Sequence, residues 1–193
     1  MNLPNKLTIS RIALTIAFIV FLFLPGLAWK ALALATFLAA SATDMLDGYL
    51  AKKHNQVTDF GALMDPIADK ILILSAFLAF VQMQLVPAWM VVVIIFREAA
   101  VTGLRVLALT KGKMIAADHG GKHKTACQVI AIFVILLLII FKEARPAFWS
   151  AATESVFRNS IFVLMLVTVT LTLISGVSYL VNNREVYSHA KES

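Results

Sequence analysis

Apolar residues in this sequence come in long continuous runs, not in the strict alternation of a half-buried strand. A helix that crosses a hydrocarbon core needs about 20 mostly apolar residues. Six stretches qualify: 7–24, 31–51, 61–83, 87–109, 125–141 and 156–181. The pattern predicts an all-α integral membrane protein, a six-helix bundle with a short N-terminal juxtamembrane segment. Helices are preferred to a barrel because each closes its own backbone hydrogen bonds inside the membrane. The connectors are too short to fold separately, so residues 1–193 are expected to form one membrane domain. Lys6, Arg11 and the apolar run after them resemble a signal peptide, but the cleavage-like Ala33-Leu34-Ala35 lies too far along.

Composition supports the pattern. Hydrophobic residues make up 60% of the 193 and charged residues 15%, against about 45–50% and about 25% in soluble domains. The net charge of +6 is not a nucleic-acid footprint, because the basic residues sit in short clusters between apolar runs, as suits anionic lipid or phosphate. A single cysteine, Cys127, excludes an intrachain disulfide. Ten basic residues near span ends fall on the side of the N-terminus, and four, Lys30, Lys142, Arg145 and Arg158, on the other. The positive-inside rule then predicts a multi-pass protein of the cell (inner) membrane with both termini in the cytoplasm.

Four acids break the apolar pattern. Asp44 and Asp47 fall in the second run, Asp65 and Asp69 in the third. An aspartate at a helix centre costs about 2.5–3.5 kcal/mol on insertion scales, so these four are expected to face one another, water or cations. Asp44, Asp47 and Gly48 share a helix face, as do Gly61, Asp65 and Asp69. The glycines leave those faces open, and Pro66 is expected to kink its helix and free a carbonyl. Four carboxylates suit two hard divalent cations, Mg²⁺ or Mn²⁺, a device for in-line displacement at phosphorus. The competing reading pairs the acids with Lys52, Lys53 and Lys70 in a structural network.

These residues match a signature. The order Asp44, Asp47, Gly48, Ala51, Lys52, then Gly61, Asp65 and Asp69 resembles the D-x-x-D-G-x-x-A-R…G-x-x-x-D-x-x-x-D motif of CDP-alcohol phosphotransferases, with Lys52 in place of the arginine. Pro4-Asn5, Leu7-Thr8 and Arg11-Ile12 resemble the family's N-terminal element. Four further stretches are similar to the branch that uses glycerol 3-phosphate: Asp65 to Lys70, Arg97-Glu98 with Gly103-Leu104-Arg105, Gly121 to Thr125, and Ser175-Gly176 with Tyr179.

The resemblance implies a six-helix fold, a homodimer, and a polar cavity open to the cytoplasm. It implies transfer of a phosphatidyl group from CDP-diacylglycerol to sn-glycerol 3-phosphate, giving phosphatidylglycerophosphate and CMP. Asp44, Asp47 and Asp65 would hold the metals on the CDP diphosphate, beside Gly48, Lys52 and Gly61, while Asp69 would touch a metal and act as general base. An anionic acceptor also needs cations. Arg97 and Arg105 lie eight residues apart, on nearly one face of the fourth run. Arg105 and Lys124 are expected at the acceptor phosphate, with Arg97, Lys122 and Arg184 as further members. For Arg97 an ion pair with Glu98 or a signature aspartate is the alternative, and for Lys122 and Arg184 anchoring at lipid headgroups. Another acceptor within the family (inositol phosphate, serine or phosphatidylglycerol) and a divalent-cation transporter are the competing functions.

Overall fold

A computed structural model describes the backbone of residues 3–54, 59–110 and 119–184, and the side chains of residues 9–43, 70–108 and 124–184. Six α-helices account for nearly all of it: α1 (Leu3–Phe23), α2 (Leu27–His54), α3 (Asp59–Gln82), α4 (Ala88–Thr110), α5 (His119–Ala144) and α6 (Ala151–Asn182). One 3₁₀ turn, Pro146–Phe148, joins α5 to α6. Each predicted run falls within or close to one helix, and no strand occurs among the described residues.

The junctions sit where local chemistry stops a helix. Between α1 and α2, Gly26 adopts φ +107°, which a side chain would resist. There the buried Lys30 ammonium donates to the carbonyls of Leu22 (2.6 Å) and Leu24 (3.0 Å). It thereby satisfies acceptors that the end of α1 leaves open and complements its negative pole. The Gly26 amide donates to Glu143 Oε1 at 3.0 Å, fastening this turn to the end of α5. Ser150 caps α6, its hydroxyl accepting from the Thr153 amide. Glu154, one residue on, accepts from Lys142 (2.7 Å), Trp149 (2.6 Å) and Arg158 (2.7 Å).

Helix α1 packs against α2 and α3, α4 against α6, and α5 against both α2 and α6. Their shared core is apolar, with Phe18, Phe37, Phe77, Phe80, Ile132 and Met165 fully enclosed. The outer surface is apolar as well. Ile16, Val92, Phe96, Val163, Ile174 and Val177 are all more than half exposed, an arrangement water penalises and lipid does not. Among the described residues two helical stretches, Lys124–Ala144 and Ala151–Asn182, are long and apolar enough to span a bilayer. Ile9–Phe23, Leu27–Thr43 and Lys70–Gln82 are shorter apolar helices. The architecture is that of an all-helical, membrane-associated protein.

The helix axes also sort the ends of the bundle. The starts of α1, α3 and α5 and the ends of α2, α4 and α6 belong to one end. Lys30, Lys142 and Arg158 make their contacts at the other.

Candidate functional site

Asp44, Asp47, Gly48 and Lys52 are carried by the second half of α2, and Gly61, Asp65 and Asp69 by the first half of α3. Their side chains lie outside the described residues. Four residues separate the two helices, so the segments that bear the aspartates face the same end of the bundle. Asp44 stands ten residues before the end of α2 and Asp69 ten residues after the start of α3, each about 15 Å along its helix. Pro66 falls within α3, in its first third. Lys122 lies in the first turn of α5, its side chain also outside the described set.

One residue beyond Asp69 a described polar cluster begins. The Lys70 ammonium donates to the Thr102 hydroxyl and stands 4.0 Å from Glu98 Oε2. Thr102 in turn donates to the Glu98 carbonyl at 2.8 Å. The Lys124 ammonium, from α5, donates to Glu98 Oε1, and Arg97 Nη1 lies 3.4 Å from the same oxygen. One carboxylate therefore meets cations from α3, α4 and α5 in largely water-excluded surroundings, where such pairs are strong and an uncompensated charge is costly. The side chains of Glu98, Arg97 and Lys124 are 13%, 8% and 7% exposed.

Arg97 is held from α6 as well. Its Nη2 donates to Ser175 Oγ at 2.9 Å. Gly176 makes room for the stem, since a Cβ there would lie 2.8 Å from Arg97 Cγ. Arg105, two turns further along α4, is more open. Its Nε donates to the Tyr179 hydroxyl at 3.3 Å, and its guanidinium carbon stands 5.7 Å from that ring's centroid. Below the cluster, Gln128 reaches the buried Thr172 hydroxyl at 3.4 Å. Arg184, past the end of α6, is exposed.

Of the five cations predicted for the acceptor, Arg97 and Lys124 thus meet on one carboxylate, Arg105 lies along the same helix, and Arg184 stands at the helix end. For Arg97 the ion pair with Glu98 is present. Lys70 was expected only as a partner of the aspartates, Ser175 and Tyr179 only as part of a family-like stretch, and Thr102 not at all, although Glu98, Thr102 and Arg105 sit at i, i+4 and i+7 and Ser175 and Tyr179 at i and i+4. Among the described residues no group of histidine, cysteine or carboxylate side chains could hold a metal; the four signature aspartates are outside that set.

A helical bundle with an apolar exterior and a charged cluster buried at one end is the build of a membrane-associated protein with a polar site. Comparison with known proteins narrows the class. Residues 1–181 match the family model for CDP-alcohol phosphatidyltransferases. A Bacillus subtilis protein named CDP-diacylglycerol–glycerol-3-phosphate 3-phosphatidyltransferase is 43% identical over 169 residues, covering 78% of this chain and 87% of the relative. Proteins of the same name from Haemophilus influenzae (36% over 138 residues; 68% and 73% covered) and Rickettsia bellii (38% over 137; 70% and 75%) are also similar. The chain belongs to the CDP-alcohol phosphatidyltransferase family.

Proposed function

We propose that this chain is the phospholipid-synthesising enzyme that transfers the phosphatidyl group of CDP-diacylglycerol to sn-glycerol 3-phosphate. The observation that carries the reading is the signature spacing of Asp44, Asp47, Gly48, Gly61, Asp65 and Asp69 on α2 and α3, beside a buried cation cluster on α3, α4 and α5. The names of the similar proteins support it.

In this reading the chain is one domain that crosses the cytoplasmic membrane six times as a homodimer, with the site and both termini in the cytoplasm. The donor set fits two Mg²⁺ or Mn²⁺ ions: hard carboxylate oxygens, four negative charges, and no competing sulfur or imidazole at the signature positions. Asp44, Asp47, Asp65 and Asp69 would hold them. Bound there, the ions would neutralise the diphosphate and stabilise the charge that develops on it.

The remaining steps fall to the chain's own residues. Lys52 adds a positive charge for the diphosphate but lacks the bidentate fork of arginine. Gly48 and Gly61 leave space for the nucleotide to approach the backbone. Asp69 takes the proton from the acceptor hydroxyl. The hydroxyl oxygen forms a bond to the phosphorus that bears the diacylglycerol, and the bond from that phosphorus to the bridging oxygen breaks, releasing CMP. Arg105 and Lys124, with Arg97, bind the acceptor's own phosphate through charge-assisted hydrogen bonds. Lys122 and Arg184 contribute long-range positive charge or grip headgroups at the membrane surface.

The test is to incubate purified protein with CDP-diacylglycerol and, separately, glycerol 3-phosphate, inositol phosphate, serine and phosphatidylglycerol, identifying each lipid product by mass spectrometry. Phosphatidylglycerophosphate as the dominant product is expected. A different lipid would replace the acceptor, and ion flux without nucleotide chemistry would replace the enzyme. Asp44→Asn, Asp47→Asn and Asp65→Asn should each remove most CMP release while membrane levels stay normal. Near-normal turnover at saturating Mg²⁺ would take that residue out of the site.

A further inference from the structure

Neither metal binding nor proton transfer requires Glu98, yet this carboxylate is the point on which three helices converge. It accepts from Lys124 of α5, pairs with Arg97 beside it on α4, and lies 4.0 Å from Lys70 of α3. Only Lys70 is substantially exposed, at 34% of its side chain. Among the described residues one negative charge meets three positive ones, a surplus of two, of which only Lys70 is open to water. A structural ion pair would need one partner, and an enclosed surplus of positive charge is unfavourable unless something anionic completes it. A phosphomonoester, at about −1.5 to −2 near neutral pH, is the chemical class that does so; a neutral alcohol does not.

We infer that Glu98 is a positioning residue for the acceptor phosphate, holding Lys124, Arg97 and Lys70 together in advance as one cation set. The inference rests on the proposed acceptor, glycerol 3-phosphate. Glu98 does not exhaust the donors it gathers. An ammonium has three N–H groups and a guanidinium five; Lys124 gives one to Glu98, and Arg97 gives single bonds to Glu98 and Ser175. Several donors remain for phosphate oxygens. Without the carboxylate, three like charges would repel, and the lysines, on flexible stems, would turn toward water. Lys70 follows Asp69 directly in α3, so the phosphate end of the acceptor is set at the same level of the bundle as the proposed base. A substrate held at that end brings its hydroxyl to Asp69.

The test is steady-state kinetics on purified protein in lipid–detergent micelles, each substrate varied with the other saturating, alongside thermal unfolding. Glu98→Gln should raise KM for glycerol 3-phosphate by about tenfold or more, with KM for CDP-diacylglycerol within about twofold and kcat within about threefold. Glu98→Asp, which keeps the charge on a shorter stem, should show a smaller rise in the same KM. Adding Glu98→Gln to Lys124→Met should change that KM little beyond Lys124→Met alone, because a positioning residue acts through the group it positions. The inference is overturned if KM for glycerol 3-phosphate is unchanged or falls, if both KM values rise together, or if the double variant is additive. Should Glu98→Gln not fold, an unaltered acceptor KM in Glu98→Asp overturns it equally. Wild-type protein that turns over CDP-diacylglycerol with a neutral alcohol but not with glycerol 3-phosphate removes the acceptor assignment, and this inference with it.

Discussion

Arg97 shows how much a single position in this site depends on its neighbours. Its stem crosses α6 at Gly176, where a methyl group would stand 2.8 Å from Cγ, near the root of the side chain and not at its free end. Gly176→Ala therefore has to shift the arginine or the helix, straining the bond to Ser175. Overpacking of this kind costs about 1–3 kcal/mol, so the variant should unfold at a lower temperature than wild type; an unchanged Tm would mean that the arginine yields freely. Arg105 is the opposite case, exposed and resting on Tyr179. Its truncation should leave the bundle intact and act on substrate. Arg105→Ala should raise KM for glycerol 3-phosphate by roughly ten- to a hundredfold, the equivalent of one charge-assisted hydrogen bond of about 1.5–3 kcal/mol. A loss confined to CDP-diacylglycerol would move Arg105 to the donor side. The shared face of Arg97 and Arg105 was legible from their spacing of eight. The gathering of Lys70 and Lys124 on Glu98 was not, because it joins residues 28 and 26 positions apart, which only tertiary packing brings together.

At the scale of the helices, hydropathy located all six α-helices, and several of them extend beyond their apolar runs for a physical reason. Apolar runs report the part of a helix that avoids water, whereas backbone hydrogen bonds continue beyond it. Helix α5 thus begins at His119 and not at 125, and α6 at Ala151 and not at 156. In α6 the Ser150 cap and first-turn Glu154 start the helix ahead of its apolar stretch. The end of α1 gives a prediction that separates stability from activity. Lys30→Met leaves the Leu22 and Leu24 carbonyls without their donor, a loss of about 1–3 kcal/mol. Thermal unfolding should register it, while both KM values stay at wild-type levels because Lys30 lies at the end of the bundle remote from α4's charged cluster. A selective change in either KM would couple the two ends.

For the whole molecule, the division of charge between the ends carries the account. The signature segments of α2 and α3 and the Glu98 cluster share the end that holds the start of α1 and the end of α6, and the proposed orientation puts that end in the cytoplasm. Cys127 is the sole cysteine, so a Cys127→Ser background allows single-site labelling. Ala147→Cys, on the exposed α5–α6 connection, should react with a membrane-impermeant thiol reagent added outside intact cells, and Ser188→Cys only in inverted vesicles. The reverse pattern would invert the topology. The four acids Asp44, Asp47, Asp65 and Asp69 were legible as interruptions of apolar runs; the convergence of Lys70, Arg97 and Lys124 on Glu98 required the packing of α3, α4 and α5.

The most direct measurement follows radiolabelled glycerol 3-phosphate and CMP in one sample of purified protein supplied with CDP-diacylglycerol. The account predicts equal amounts of CMP released and label incorporated into lipid, both abolished by a chelator and restored by Mg²⁺ or Mn²⁺. CMP appearing while the label stays water-soluble, or lipid labelling that persists without divalent cations, would contradict it.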